Sequence, residues 1–255
     1  MPNFFLVQGS LGAGKTLLAS ILAQYWRLRS GENIQIFSNY DMINSTVFNQ
    51  AEQWIDVAQA HGSVIVWDEA QTQFDRRNWQ RNTFMTQIFN YSRKMRCIHI
   101  FVNPVGSNLD GRILDFIEVF LHVKKIPGRG IAIDVYEYQD KRFGEWGRKI
   151  KTLWIPWHRV QGVFKIEIYD TDSILYPFPV PKTERDQTNL LQQIVDVQTE
   201  VTQIEKKERR GVSGWINPKD HREQRENGDR ENNDEWKPNG DRLFVPQSAP
   251  FGDFT

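Results

Sequence analysis

Residues 9–16, Gly9-Ser10-Leu11-Gly12-Ala13-Gly14-Lys15-Thr16, carry the spacing G-x-x-x-x-G-K-[ST] in full. The chemistry of that spacing is anion binding. Its glycines let the backbone wrap closely around a polyphosphate, so that successive N–H groups and a helix N-terminus face the negative charge. Lys15 offers a point charge to the β- and γ-phosphates, and the Thr16 hydroxyl offers a hard oxygen to magnesium. All eight residues are candidate nucleotide contacts, with ATP and Mg2+ as the ligands they fit.

A second constellation follows an apolar run, Val64-Ile65-Val66-Trp67, which ends in Asp68-Glu69. An acid at the end of a buried strand beside a phosphate loop can hold magnesium, and a Glu directly after it can polarise an attacking water as general base. Thr16 and Asp68 are therefore read as the magnesium residues, and Lys15 and Glu69 as the catalytic ones. An Asp-Glu pair is also ordinary helix-capping chemistry, and the phosphate loop upstream favours the catalytic reading. Asn103, at the end of the apolar run 98–102 and before Pro104, can donate and accept a hydrogen bond. That suits a γ-phosphate sensor, and it suits turn chemistry too. Between Asp75 and Cys97 lie Arg76, Arg77, Arg81, Arg93, Lys94 and Arg96, opposed only by Asp75. The run reads either as a solvated helix surface or as a source of an arginine finger for this site or a neighbour's. Arg112 is a further candidate, and the sequence does not choose among them.

These residues need elements to hold them. Residues 4–8 read as a short buried strand and 16–29, with Leu17, Leu18, Ile21, Leu22, Tyr25, Trp26 and Leu28, as a helix that Gly31 ends. Strands are expected at 33–39, 64–67, 98–102 and 119–123, and helices at 49–61 and 84–93. Alternating helices and wholly apolar strands imply an α/β fold with a mostly parallel sheet covered on both faces. Beyond Lys124 the pattern changes to alternating apolar and polar residues at 130–139, 150–157 and 163–169, which predicts antiparallel strands extending that sheet. Three prolines within 177–181 predict an extended linker. Leu190, Ile194, Val197, Val201 and Ile204, spaced by 4, 3, 4 and 3, form one stripe of a helix. The stripe fits either a short coiled coil or a helix docked on its own core. The expected organisation is thus 1–176 as the nucleotide-binding domain, 177–186 as linker, 187–208 as amphipathic helix and 209–255 as a charged, disordered tail.

Composition bounds the remaining choices. The chain has 255 residues with 32 Lys+Arg against 32 Asp+Glu, and its lone cysteine, Cys97, excludes a disulfide framework or a cysteine-based zinc site. No apolar run reaches the ~18 residues a membrane span needs, and no basic, apolar leader opens the chain. These features predict a soluble intracellular protein. Residues 1–182 hold 21 basic and 17 acidic side chains, whereas 205–242 hold ten of each.

The order of the phosphate loop, Val64-Ile65-Val66-Trp67-Asp68-Glu69-Ala70-Gln71 and Phe74-Asp75-Arg76-Arg77 resembles the Zot-like branch of the FtsK–HerA ATPases. Asn103-Pro104, Leu109-Asp110 and Arg112-Ile113 resemble that family's sensor strand and following turn, and Val163-Phe164 with Tyr169-Asp170-Thr171 its closing strand. The resemblance spans about residues 4–172. It departs at Asn103, where the family usually has Gln, and in 176–255, where Zot-type phage assembly proteins usually continue into a membrane helix. The second departure shifts the likeness toward the genome-packaging ATPases of tailless, membrane-containing icosahedral DNA viruses.

That resemblance implies a RecA/FtsK-like fold and a ring, expected to be a hexamer. ATP would lie at subunit interfaces with a neighbour's arginine completing the site, and duplex DNA would be gripped in a central pore to which 76–96 contribute. The region after Tyr176 would dock on a capsid vertex or another virion protein, in a host cytoplasm or a virion. Two other functions remain open at this level: a virion-assembly or secretion ATPase acting with a membrane partner, and a nucleotide-dependent protein-interaction switch.

Overall fold

The computed structural model describes residues 2–74, 79–104 and 109–213, the side chains of 79–82 and 209–213 excepted. Eight strands form one sheet: β1 (Phe4–Gly9), β2 (Gln35–Ser38), β3 (Thr46–Val47), β4 (Ser63–Trp67), β5 (Cys97–Asn103), β6 (Val119–Ile126), β7 (Gly130–Glu137) and β8 (Arg148–Pro156). Their order across the sheet is β3-β2-β4-β5-β1-β6-β7-β8. The first six strands in that order are parallel to their neighbours, and β7 and β8 extend the sheet antiparallel. The central strands β4 and β5 are buried at every residue. A continuous β-branched and aromatic run is stable there only with both faces covered.

The helices supply that cover: α1 (Lys15–Arg29), α2 (Gln53–Ala60), α3 (Ala70–Gln73), α4 (Trp79–Ser92), α5 (Gly111–Leu114), α6 (Trp157–Lys165) and α7 (Glu184–Ser213). α1 packs on β1, β2, β4 and β5, and α6 on β7 and β8. The main core lies on the other side of the sheet. It joins Trp54 and Val57 of α2, Phe84, Ile88 and Phe89 of α4 and Ile113 of α5 to Phe4, Phe37, Trp67 and Phe101 of the strands. His99 is buried in this core, stacked on Phe4 and bonded to Ser92 Oγ at 2.8 Å. Burial holds it neutral by lowering its pKa to about 3.

The chain divides into two compact units at Thr199/Glu200. Within the first, Phe178, Leu190 and Ile194 belong to the core, so the beginning of α7 docks on its own domain. Gln198 Nε2 donates to the Ala58 carbonyl beside them. Of the second unit, the described residues are 200–213, the end of α7, where Ile204 is 55% exposed.

One expected strand does not form: residues 163–165 end a helix. Residues 163–169 do not extend the sheet. β8 ends at Pro156, which N-caps α6, and Val160 and Val163 bury one face of that helix against β7 and β8. Alternation over a few residues also satisfies a three-to-four spacing, and the uncovered sheet face selected the helical solution. Residues 168–170 instead pair with 41–43 through an isolated antiparallel bridge between Met42 and Tyr169. The family-like closing strand is therefore absent from these positions.

Candidate active site

The carboxyl ends of β1, β2, β4, β5 and β6 point to one edge of the sheet, since these strands are mutually parallel. Ligands of open α/β sheets bind at that edge, where the chain crosses from one side of a strand to the other. Here the crossing flanks β1, whose neighbours are β5 and β6.

β1 runs straight into residues 10–14, and α1 begins at Lys15 with no side chain capping it. The uncapped first turn leaves N–H groups aimed into the loop. Gly12 and Gly14 have φ of 70° and 93°, values that turn the backbone inward and that L side chains rarely adopt. Close packing also requires the glycines. A Cβ at Gly9 would collide with the Val123 carbonyl of β6, and one at Gly14 would lie 2.6 Å from Ile131 Cδ1 of β7. Lys15 is buried and donates from Nζ to the Ser10 carbonyl at 3.0 Å, across its own loop. Leu11, at the tip, is 90% exposed.

β4 delivers Asp68 to this loop. Thr16 Oγ1 donates to Asp68 Oδ2 at 2.9 Å, and the Glu69 N–H donates to Asp68 Oδ1 at 2.9 Å. Burial pushes the Asp68 carboxyl above the usual carboxylate range. The bonds from Thr16 and Glu69 and the charge of Lys15 oppose that shift without cancelling it. A carboxylate and a hydroxyl already in contact are hard oxygen donors and fit Mg2+.

Glu69 follows with φ 48° and ψ 48°, a left-handed conformation uncommon for a residue with a side chain. It stands at the N-cap of α3, and its Oε2 accepts from Gln71 Nε2. Strain of this kind persists where the surroundings over-determine it. Here Thr72 Oγ1 and the Thr72 N–H both bond the Glu69 carbonyl. β5 lies between β1 and β4, and its last residue, Asn103, is buried and in register with Gln8. The strand order thus sets Asn103 between the phosphate loop and the Asp68-Glu69 turn.

Sequence reasoning missed three supporting residues. Asn39, fully buried just past β2, accepts from the Asp68 N–H at 2.7 Å and donates to the Asp68 carbonyl at 2.9 Å. Ser20, one turn after Thr16, bonds the Thr16 carbonyl and the Tyr40 hydroxyl. Burial, and to a smaller extent the charge of Asp68, push the Tyr40 hydroxyl pKa upward, so it stays neutral. A polar residue ending an apolar strand was the available sign of Asn39. Ser20 and Tyr40 carried none.

Only part of the basic run lies within the described residues. Arg76 and Arg77 lie outside the described residues, as does the side chain of Arg81. Arg93 and Arg96 lie between α4 and the amino end of β5, at the opposite edge of the sheet from the phosphate loop. Twelve helical residues from Arg81 to Arg93 rise about 18 Å. The helix from 79 to 92 therefore spans much of the height of the sheet. Arg112 bonds Asp110 at 2.7 Å and Thr83 Oγ1 at 3.0 Å.

No family model matches the chain, and no curated protein matches it. Solved structures do. The N-terminal domain of zonular occludens toxin from Neisseria meningitidis is similar with a TM-score of 0.43 and 16% identity, over 70% of this chain and 95% of that one. The DNA-packaging ATPase B204 from Sulfolobus turreted icosahedral virus gives a TM-score of 0.37 and 13% identity, over 49% and 78%. The genome packaging NTPase B204 from Sulfolobus turreted icosahedral virus 2, in complex with AMPPCP, gives 0.36 and 11%, over 49% and 77%.

Proposed function

We propose that this chain is a magnesium-dependent ATP hydrolase that translocates duplex DNA, packaging a double-stranded viral genome into a preformed capsid. The hydrolase part rests on one observation: Thr16 Oγ1 meets Asp68 Oδ2 at 2.9 Å across 52 residues of sequence, with Glu69 next in the chain. In this reading the loop N–H groups and the start of α1 bind the phosphates, and Lys15 leaves the Ser10 carbonyl to contact the terminal ones. Thr16 and Asp68 hold magnesium, which when bound supplies positive charge to the phosphate oxygens. Glu69 takes the proton of the attacking water, and Asn103 orients that water or the γ-phosphate. ATP and water give ADP and phosphate. A finger arginine comes from 76–81 of this or a neighbouring subunit in a ring.

The DNA part is supported by the motif resemblance and by the basic excess of residues 1–182. No helix among the described residues is long and apolar enough to cross a membrane. The test is ATP turnover with and without duplex DNA, with Glu69→Gln as control. Stimulation of several-fold, abolished in the variant, supports the motor. Glu69-dependent turnover that ignores DNA keeps the hydrolase and removes the DNA role. A variant as active as wild type overturns the catalytic assignment.

A further inference from the structure

The basic excess of the domain has an address. Residues 1–123 contain ten basic and ten acidic side chains, whereas 124–165, which form the end of β6, β7, β8 and α6, contain ten basic and four acidic. At the centre of this wing, Asp134 of β7 is nearly buried and holds three donors. Lys124 Nζ of β6 bonds it at 2.9 Å, Lys149 Nζ of β8 at 2.6 Å and Thr152 Oγ1 at 2.6 Å. Burial alone would raise the Asp134 pKa, but these three donors outweigh it and hold the carboxyl well below the usual range. One acid thus pins two ammonium groups side by side, with their side chains 53% and 49% exposed. Each ammonium has three donors and spends one on Asp134, so four remain for an incoming anion. Arg148 at the start of β8 and Arg142 in the turn before it are 55% and 85% exposed, and each is paired with an acid, Glu137 and Asp140 respectively. Phe143 and Trp154 are exposed among them.

A lysine-rich edge strand can serve only to prevent pairing with other chains. That accounts for β8. It does not account for Lys124, which stands two strands in from the edge, nor for a buried acid that organises both lysines.

We propose that this face of the β6–β8 wing binds the phosphates of duplex DNA, with Lys124 and Lys149 as paired contacts. Two ammonium groups held side by side fit a duplex backbone, whose phosphates recur at regular spacing and are bound without base contacts. The wing also touches the catalytic loop. Val123 precedes Lys124 and abuts Gly9, and Ile131 of β7 abuts Gly14. A load on Lys124 is therefore one residue from the phosphate loop, which links DNA grip to nucleotide state. The choice of DNA as partner rests on the translocase reading.

The experiment is duplex binding by fluorescence anisotropy, in the full chain without nucleotide, over a range of salt. Lys124→Gln and Lys149→Gln should each flatten the slope of log affinity against log salt by about 0.9, the share of one neutralised phosphate. Lys149→Arg should restore it, and Arg27→Gln, on α1, should leave it as in wild type. The glutamines can still donate to Asp134, and matched melting curves identify any misfolded variant. Wild-type slopes in both glutamine variants overturn the wing, and if DNA still stimulates turnover the translocase reading stands. Slopes that respond as expected while DNA leaves turnover unchanged support the wing and remove the translocase reading. Competition by polyglutamate as strong as by DNA would overturn nucleic acid in favour of an acidic protein partner.

Discussion

Asn39 holds Asp68 by both backbone polar groups, accepting from its N–H at 2.7 Å and donating to its carbonyl at 2.9 Å. The pair ties the end of β2 to the residue where β4 turns into the Glu69 conformation. Its removal leaves two buried polar groups without partners, each costing about 1–3 kcal/mol. Asn39→Ala should therefore lower the melting temperature by about 4 °C or more and reduce kcat. Thermal unfolding and steady-state kinetics check both. An unchanged kcat would mean that the grip is not needed to position Asp68.

Glu69→Gln removes the proposed base and keeps the shape. Turnover should fall by a factor of about 10²–10⁴, with nucleotide affinity retained. Single-turnover kinetics and equilibrium binding of a fluorescent ATP analogue separate the two. A fall in affinity of the same size would assign Glu69 to binding.

In the proposed reading, the unfavourable burial of Asp68 would be relieved by magnesium. Its folded pKa is raised, so its ionised form destabilises the ligand-free fold, and that penalty grows as pH rises from the ordinary carboxylate range through the raised value. Asp68→Asn should melt higher than wild type at pH 7–8 without nucleotide, and the difference should vanish as pH falls below that range. The same variant should lose magnesium-dependent nucleotide binding. Melting curves against pH, with and without Mg-ATP, test the sign.

Gly14→Ala meets both the φ of 93° and the Ile131 Cδ1 at 2.6 Å. The backbone conformation alone costs about 1–2 kcal/mol for an L side chain. Nucleotide affinity should fall, and adding Ile131→Val, which removes the colliding methyl, should recover part of the loss. Full recovery would mean that contact with β7, and not the turn, demands glycine.

The segment after Tyr176 connects α7 to the catalytic turn. The Tyr176 N–H bonds the Asn39 carbonyl at 2.8 Å, and the Phe178 N–H bonds Gln73 Oε1 at 2.6 Å. Phe178 itself packs against Trp67, Phe74 and Trp54. Phe178→Ala should destabilise the domain by about 3–5 kcal/mol. Denaturant unfolding measures this, and a change below 1 kcal/mol, close to the range of about 0.5 kcal/mol of surface substitutions, would show that the segment is only a tether.

Much of this molecule is written locally. The phosphate loop, the strands around it and the Asp68-Glu69 pair depend on short-range rules: glycines for a tight anion-binding turn, and apolar runs for buried strands. Residues 4–8, 64–67 and 98–102 each carry those rules in consecutive positions. What only the tertiary structure decided depends on partners distant in sequence. Residues 163–165 could satisfy either period until the face of β7 and β8 took them into the end of α6. The stripe at 190–204 fitted a partner helix or its own core; Phe178 and α2 provided a core for Leu190 and Ile194, and Ile204 is exposed. Arg93 and Arg96 read as part of the same basic run as Arg81, but α4 carries the backbone from one edge of the sheet toward the other between them. Lys124, Asp134 and Lys149 were unremarkable as single residues and became a site through strand register, which places ten- and fifteen-residue separations side by side.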